Sequence, residues 1–307
     1  MRVVFMGTPE IAATCLRALC AQDFSVVGVY TKPDMPKNRG HKLMMSEVKE
    51  YALAQGLPVF QPTGFRDDAV YEELKALKPD VLAVVAYGKI LPQRVLDIPR
   101  LGAVNMHASI LPSLRGSGPV QWSILNGDTE TGVTAMYMAA EMDAGDIIEI
   151  RKTPIDPEET AGELMGRLAE IAAGLLCDTL HSMQNGTVTR TPQQHEKATY
   201  APMLSKALCP INWKKTRREI INQVRGLNPW PIATAEICGQ RFKIYGVKDA
   251  ERTTDKAPGT LLALTKAGLE VACADGVLTI TRLQTEGGKA MAAADYFRGH
   301  PIEISQS

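Results

Sequence analysis

Between residues 2 and 86 the chain alternates short β-rich runs with helical periodicities, and that alternation constrains its fold more than any other feature. RVVFM (2–6) reads as a strand, 9–20 as a helix, SVVGVY (25–30) as a strand, 70–76 as a helix and VLAVVA (81–86) as a strand that is apolar throughout. A strand without a polar face must be buried on both sides, which a parallel sheet between two helical layers provides. The expectation is an α/β fold with a Rossmann-like, mostly parallel sheet. In such sheets ligands lie beyond the carboxyl ends of the strands, so side chains delivered there are the first candidates for chemistry.

The second half of the chain has a different rhythm. A helical stretch over 160–183 closes the first domain, and 185–206 is polar and rich in turn formers, as suits a connector. A short helix at 216–226 is followed by strand-like runs at 233–237, 241–247, 259–264, 269–274 and 277–283, with tight turns such as CADG at 273–276. Five short strands so joined suggest a small OB-like β-barrel. The expected organisation is an α/β domain over 1–184, a linker over 185–206 and a smaller C-terminal barrel of the oligonucleotide-binding type over 207–307.

Composition narrows the functional classes. With 45% hydrophobic and 22% charged residues in 307, the chain has the make-up of an ordinary globular protein. No apolar run approaches the roughly 20 residues that span a bilayer, and MRVVFMGTPE enters a strand and turn directly rather than following a leader pattern. A cytoplasmic location is expected. The six cysteines form no CxxC pair, which suggests reduced, buried thiols and no structural zinc. Net charge is zero, yet from Ser205 onward 15 Lys and Arg face 10 Asp and Glu, leaving 19 against 24 before it. A basic tail third on a neutral protein is the footprint of a nucleic-acid-facing domain, or simply of solvated lysines.

Three stretches carry the chemistry. MGTPE (6–10) puts a glycine turn between strand and helix, but it lacks GxGxxG and Pro9 removes an amide a pyrophosphate would use. A dinucleotide-dependent reaction is thereby disfavoured. In NMHASILPSLRGSGP (105–119), Asn105 and His107 are two apart at the end of a strand-like run and so leave the same face. A carboxamide donor beside an imidazole suits an oxygen that gains negative charge, although an isolated Asn-x-His reads equally as a satisfied structural pair. In GVTAMYMAAEMDAGDII (132–148), Asp143 lies between Met142 and Ala144, where apolar surroundings would raise its carboxyl towards use as a base. Asp143 could also be a cap and Asp146 a turn residue. No Ser or Cys nucleophile accompanies them, which favours direct attack by a substrate amine.

These residues resemble the folate-dependent formyltransferases, whose signature is Asn-x-His-x-Ser-[Leu/Ile]-Leu-Pro followed by a Gly-Val-Thr strand ending in Asp-x-Gly-Asp. The resemblance implies that Asn105, His107 and Asp143 are the catalytic trio and that Ser109, Ile110, Leu111 and Pro112 border the folate. VVAYGKILP (84–92) is similar to the family's pterin-pocket segment. It also implies 10-formyltetrahydrofolate as formyl donor, no metal, and a monomer. YTKPDMPKNRGHKLMMSEVK (30–49) looks like the basic loop of those members that formylate the α-amine of initiator methionyl-tRNA, with Arg39 and Gly40 matching its Arg-Gly. VRGLNPWP (224–231) resembles the opening of their C-terminal domain. Lys37, Arg39 and Lys42 are then tRNA contacts. By composition the same loop reads as phosphate-following or as a solvated surface. A small-amine acceptor, such as an amino-sugar nucleotide, is the alternative within the family.

Overall fold

The computed structural model describes residues 1–37, 42–302 and 304. Contacts divide the chain into two units, the first formed by 1–119, 130–154 and 165–201 and the second by 120–129, 155–164 and 202–307.

The first unit holds strands β1 (Arg2–Gly7), β2 (Ser25–Tyr30), β3 (Met35–Lys37), β4 (Lys42–Met44), β5 (Val59–Phe60), β6 (Val81–Val85), β7 (Ala103–His107), β8 (Arg115–Gly116), β9 (Glu130–Tyr137), β10 (Ile147–Pro154) and β11 (Tyr200–Ala201). Seven of them make one sheet in the order β10-β9-β7-β6-β1-β2-β5. From β7 to β5 the strands run parallel, whereas β9 is antiparallel to β7, and β10 to β9. All five residues of β6 are buried, as a central strand covered on both faces requires. Helix α1 (Glu10–Cys20) buries Ala12, Ala13, Cys15, Leu16 and Leu19 along one stripe, with Glu10 in its first turn and Arg17 in its last, each matched to the helix dipole. A Cβ on Gly7 would fall 2.5 Å from Ala12 Cβ and 2.9 Å from the Val85 carbonyl oxygen, so this strand-to-helix turn closes only around glycine.

The other α-helices among the described residues are α2 (Glu47–Ala54), α3 (Asp68–Ala76), α4 (Gln93–Leu96), α5 (Pro119–Asn126), α6 (Ala161–Asn185), α7 (Arg217–Gly226) and α8 (Ala293–Gly299). Sequence periodicity anticipates α1, α3, α6 and α7. It misses α2, α4, α5 and α8, which are too short to show several helical repeats. It also misses β10, whose IIEIRKTP mixes charge into a half-exposed edge strand.

The segment expected as a linker, 185–206, belongs to the first unit as far as Ala201. There β11 pairs in parallel with β8, and the Arg115 N–H donates to the Thr199 carbonyl at 2.9 Å. In the second unit, β12 (Ala233–Ile237), β13 (Gln240–Asp249), β14 (Leu261–Leu264), β15 (Leu269–Cys273) and β16 (Gly276–Thr285) form an antiparallel sheet in the order β12-β13-β16-β15-β14, with β17 (Met291–Ala292) paired to β16. The ladder is OB-like in its run of strands but does not close into a barrel. The outer edge of β12 is taken instead by 209–211, where the Thr234 N–H donates to Cys209 O at 2.7 Å and the Ile211 N–H to Thr234 O at 2.8 Å. Phe242, Ile244, Leu269, Val271, Ile280, Leu283 and Phe297 form this unit's core.

Candidate active site

Register sets the site. On β7, Asn105 sits beside Val84 of β6 and Met136 of β9, and His107 beside Thr134 of β9. Asn105 and His107 therefore leave one face at the carboxyl end of the central strands, while Met106 is buried on the other. Asn105 is half-buried, and its carboxamide makes no hydrogen bond among the described residues.

His107 is buried and tied by its Nε2 to the Leu114 carbonyl oxygen at 2.9 Å. A carbonyl only accepts, so Nε2 carries a proton there. The other ring nitrogen, Nδ1, lies 3.7 Å from Oδ2 of Asp143. That oxygen accepts the Gly116 backbone N–H at 2.8 Å. Gly116 has φ of +114°, and a Cβ on it would sit 2.7 Å from the Ala201 carbonyl oxygen, so a side chain there would break the β8–β11 pairing that aims this N–H. Asp143 itself has φ of +52°, a left-handed conformation that Asp tolerates better than most residues. The apolar setting expected around Asp143 is not found. Met142 is 63% exposed, and the carboxylate meets a backbone amide and an imidazole instead.

The 109–112 loop is fixed from β9. Thr134, fully buried, donates its hydroxyl to Ser109 O at 2.6 Å and accepts the Leu111 N–H at 3.1 Å. The Ser109 hydroxyl donates to Ser113 O at 2.6 Å, and the Leu111–Pro112 peptide is cis. Ser109 and Leu111 are buried, whereas Ile110 and Pro112 are partly exposed. On the neighbouring strand, β6 leads into a turn with Ala86 and Gly88 at positive φ, after which Ile90 is 83% exposed. Tyr87 in that turn is directed into the core, and burial pushes its hydroxyl well above the usual tyrosine range.

The basic segment starts two strands further along the same edge. β3 and β4 pair antiparallel, with Lys37 opposite Lys42. Arg39 lies outside the described residues, together with Gly40 and His41. The base of the hairpin is held by Lys49, which donates to Asp34 Oδ2 at 2.7 Å and Gln61 Oε1 at 2.8 Å, while the Gln61 amide donates to Asp34 Oδ1 at 2.9 Å. These bonds, that from Lys49 foremost, hold the Asp34 carboxyl below the usual carboxylate range. The partners of His107 and Asp143 cannot be read from the sequence: Leu114 and Gly116 act through backbone groups, which leave no mark there. Among the described residues no cluster of three or more His, Cys, Asp or Glu could hold a metal ion, and no helix is long and apolar enough to cross a membrane.

Two family models match, one described as formyl transferase over residues 1–180 and one as formyl transferase, C-terminal domain, over 203–301. A relative from Clostridioides difficile (strain 630) named methionyl-tRNA formyltransferase is 42% identical over 303 residues, covering 99% of this chain and 98% of the relative. Among solved structures, an N-formyltransferase from Helicobacter canadensis in complex with folinic acid and dTDP-3-aminofucose aligns with a TM-score of 0.67 at 22% identity, over 90% of this chain and 97% of that one. HypX from Aquifex aeolicus in complex with tetrahydrofolic acid aligns with a TM-score of 0.65 at 18% identity, over 100% of this chain but 48% of that chain.

Proposed function

The chain belongs to the formyl transferase family, and from that premise we propose that it transfers the formyl group of 10-formyltetrahydrofolate to the α-amino group of initiator methionyl-tRNA. The observation that carries the choice of acceptor is likeness along the whole length. Identity to the Clostridioides difficile methionyl-tRNA formyltransferase is 42% across both domains, against 22% to the sugar enzyme from Helicobacter canadensis, which has the fold in common.

The residues at the sheet rim fit such a donor. A carboxamide without a hydrogen-bond partner is available to a carbonyl-type oxygen, and the loops on either side offer Ile90 and Ile110 to flat apolar rings. The donor supplies an activated one-carbon unit. The amine nitrogen adds to the formyl carbon and the formyl oxygen takes the negative charge; as that charge returns, the bond from the carbon to the donor nitrogen breaks, and one amine proton ends on that nitrogen. Asn105 donates to the formyl oxygen as it becomes negative, an interaction stronger in the transition state than before it. With the Nε2 proton of His107 engaged by Leu114, Nδ1 and the Asp143 carboxylate share the proton leaving the substrate ammonium. Their 3.7 Å separation leaves them to close on that proton. Once Nδ1 holds it, the ring is cationic and steadies the same oxygen.

The acceptor is placed by charge. Lys37, Arg39 and Lys42 contact phosphates near the acceptor end, and the positive excess after Ser205 lies in the C-terminal domain that binds the body of the tRNA. The protein works as a cytoplasmic monomer. The deciding experiment offers formyl-labelled donor with initiator methionyl-tRNA, elongator methionyl-tRNA or an amino-sugar nucleotide. Label on the initiator species in large excess is expected. Label on the sugar alone would overturn the assignment.

A further inference from the structure

Asp143 is gripped at both ends. Its carboxylate accepts the Gly116 N–H at 2.8 Å, and its backbone carbonyl accepts Nε2 of Gln193 at 2.9 Å. The same Gln193 amide also donates to the Gly145 carbonyl at 2.7 Å, so its two protons staple the turn on either side of Ala144. The Gln193 carbonyl oxygen, in turn, accepts from Nη2 of Arg115 at 2.8 Å and from its Nε at 3.3 Å. Arg115 precedes Gly116, so the connections close a ring. It runs from Arg115 along the backbone to Gly116, across to the Asp143 carboxylate, through Asp143 to its carbonyl, and back by Gln193 to the Arg115 guanidinium.

This ring is dry. Arg115 is 1% exposed and Gln193 6%, and the nearest carboxylate to the guanidinium, that of the exposed Glu141, is 3.6 Å from Nη1. Arg115 Nη2 is also 3.1 Å from Nδ1 of His195, which accepts from it. A buried guanidinium bonded to an amide oxygen polarises that amide and strengthens its N–H bonds, here those to the Asp143 turn. A left-handed Asp is a strained choice that persists only where its surroundings over-determine it, and four hydrogen bonds around Gln193 do so.

We propose that Gln193, anchored by Arg115, is a positioning residue that fixes the Asp143 carboxylate opposite Nδ1 of His107. The proposal rests on the reading that Asp143 handles the ammonium proton. Misplacing a reacting group by about 1 Å can reduce rate about 100-fold, which sets the scale of the test.

The test is a double-mutant cycle of Gln193→Glu with Asp143→Asn, followed by kcat, the KM of both substrates and circular dichroism. Gln193→Glu keeps the acceptor for Arg115 and removes both donors to the turn. In the natural background kcat should fall about 10- to 100-fold, with both KM values within about twofold. In the Asp143→Asn background the same change should have almost no effect, because the group being positioned is gone. A fall of equal factor in both backgrounds, or no fall at all, overturns the proposal. Near-normal activity of Asp143→Asn alone overturns instead the proton-handling reading. Should Gln193→Glu fail to fold, Gln193→Met takes its place in the cycle. If neither folds, the ring is a folding element and the positioning claim is wrong.

Discussion

Replacing Thr134 by Val tests whether the loop at the site is held by one buried hydroxyl. The substitution keeps the side chain's shape and removes the only atom that bonds both Ser109 O and the Leu111 N–H. Thr134 is fully buried, so water cannot reach its position to replace the hydroxyl. Each main-chain group left without a partner costs about 1–3 kcal/mol. Two such groups set an upper range near 6, and the exposed Ser113 side of the loop can relax outward, so the expected loss is about 2–4 kcal/mol. If half of it appears as the cost of re-ordering the loop around the donor, the KM for 10-formyltetrahydrofolate rises about 5- to 30-fold. Urea unfolding should be followed by far-ultraviolet circular dichroism and by hydrogen exchange at Leu111. Thr134→Ser should restore both properties. An unchanged midpoint together with an unchanged donor KM in Thr134→Val would refute the reasoning.

Other outcomes follow from the same structure. Asn105→Ala should lower kcat about 10²- to 10³-fold with little change in donor KM, as for loss of an oxyanion donor; single-turnover rates near those of the natural protein would remove Asn105 from the chemistry. Arg39→Ala should raise the KM for tRNA and reduce the slope of log affinity against log salt by about 1, so a parallel salt plot would exclude a phosphate contact. Asp80 accepts the Arg2 backbone N–H and the Arg100 side chain, each at 2.7 Å, and these hold its carboxyl below the usual range, the backbone bond contributing most. Its stabilisation is complete above the unfolded value, about 3.9, and is lost as pH falls through the lower folded one. The gap in stability between the natural protein and Asp80→Asn should therefore be present at neutral pH and vanish in acid. A gap independent of pH would count against that.

The strand-helix rhythm of the first 86 residues by itself implies the parallel sheet, because burial on both faces leaves a continuous apolar run such as VLAVV. Period-two geometry likewise put Asn105 and His107 on one face. These are local properties, dictated within a few residues by backbone geometry and side-chain polarity. Only the tertiary structure decided what those side chains meet. Leu114 offers His107 a carbonyl, Gly116 offers Asp143 an amide across 27 residues, and Gln193 reaches back 50 residues to hold the Asp143 turn. Every residue other than proline carries the same backbone donor and acceptor, so which one faces a given side chain depends on how distant segments pack. The edge of β12 gives the same lesson: its alternating residues announce a strand, but whether that edge meets β14 or the 209–211 segment is settled by competition for one row of hydrogen bonds.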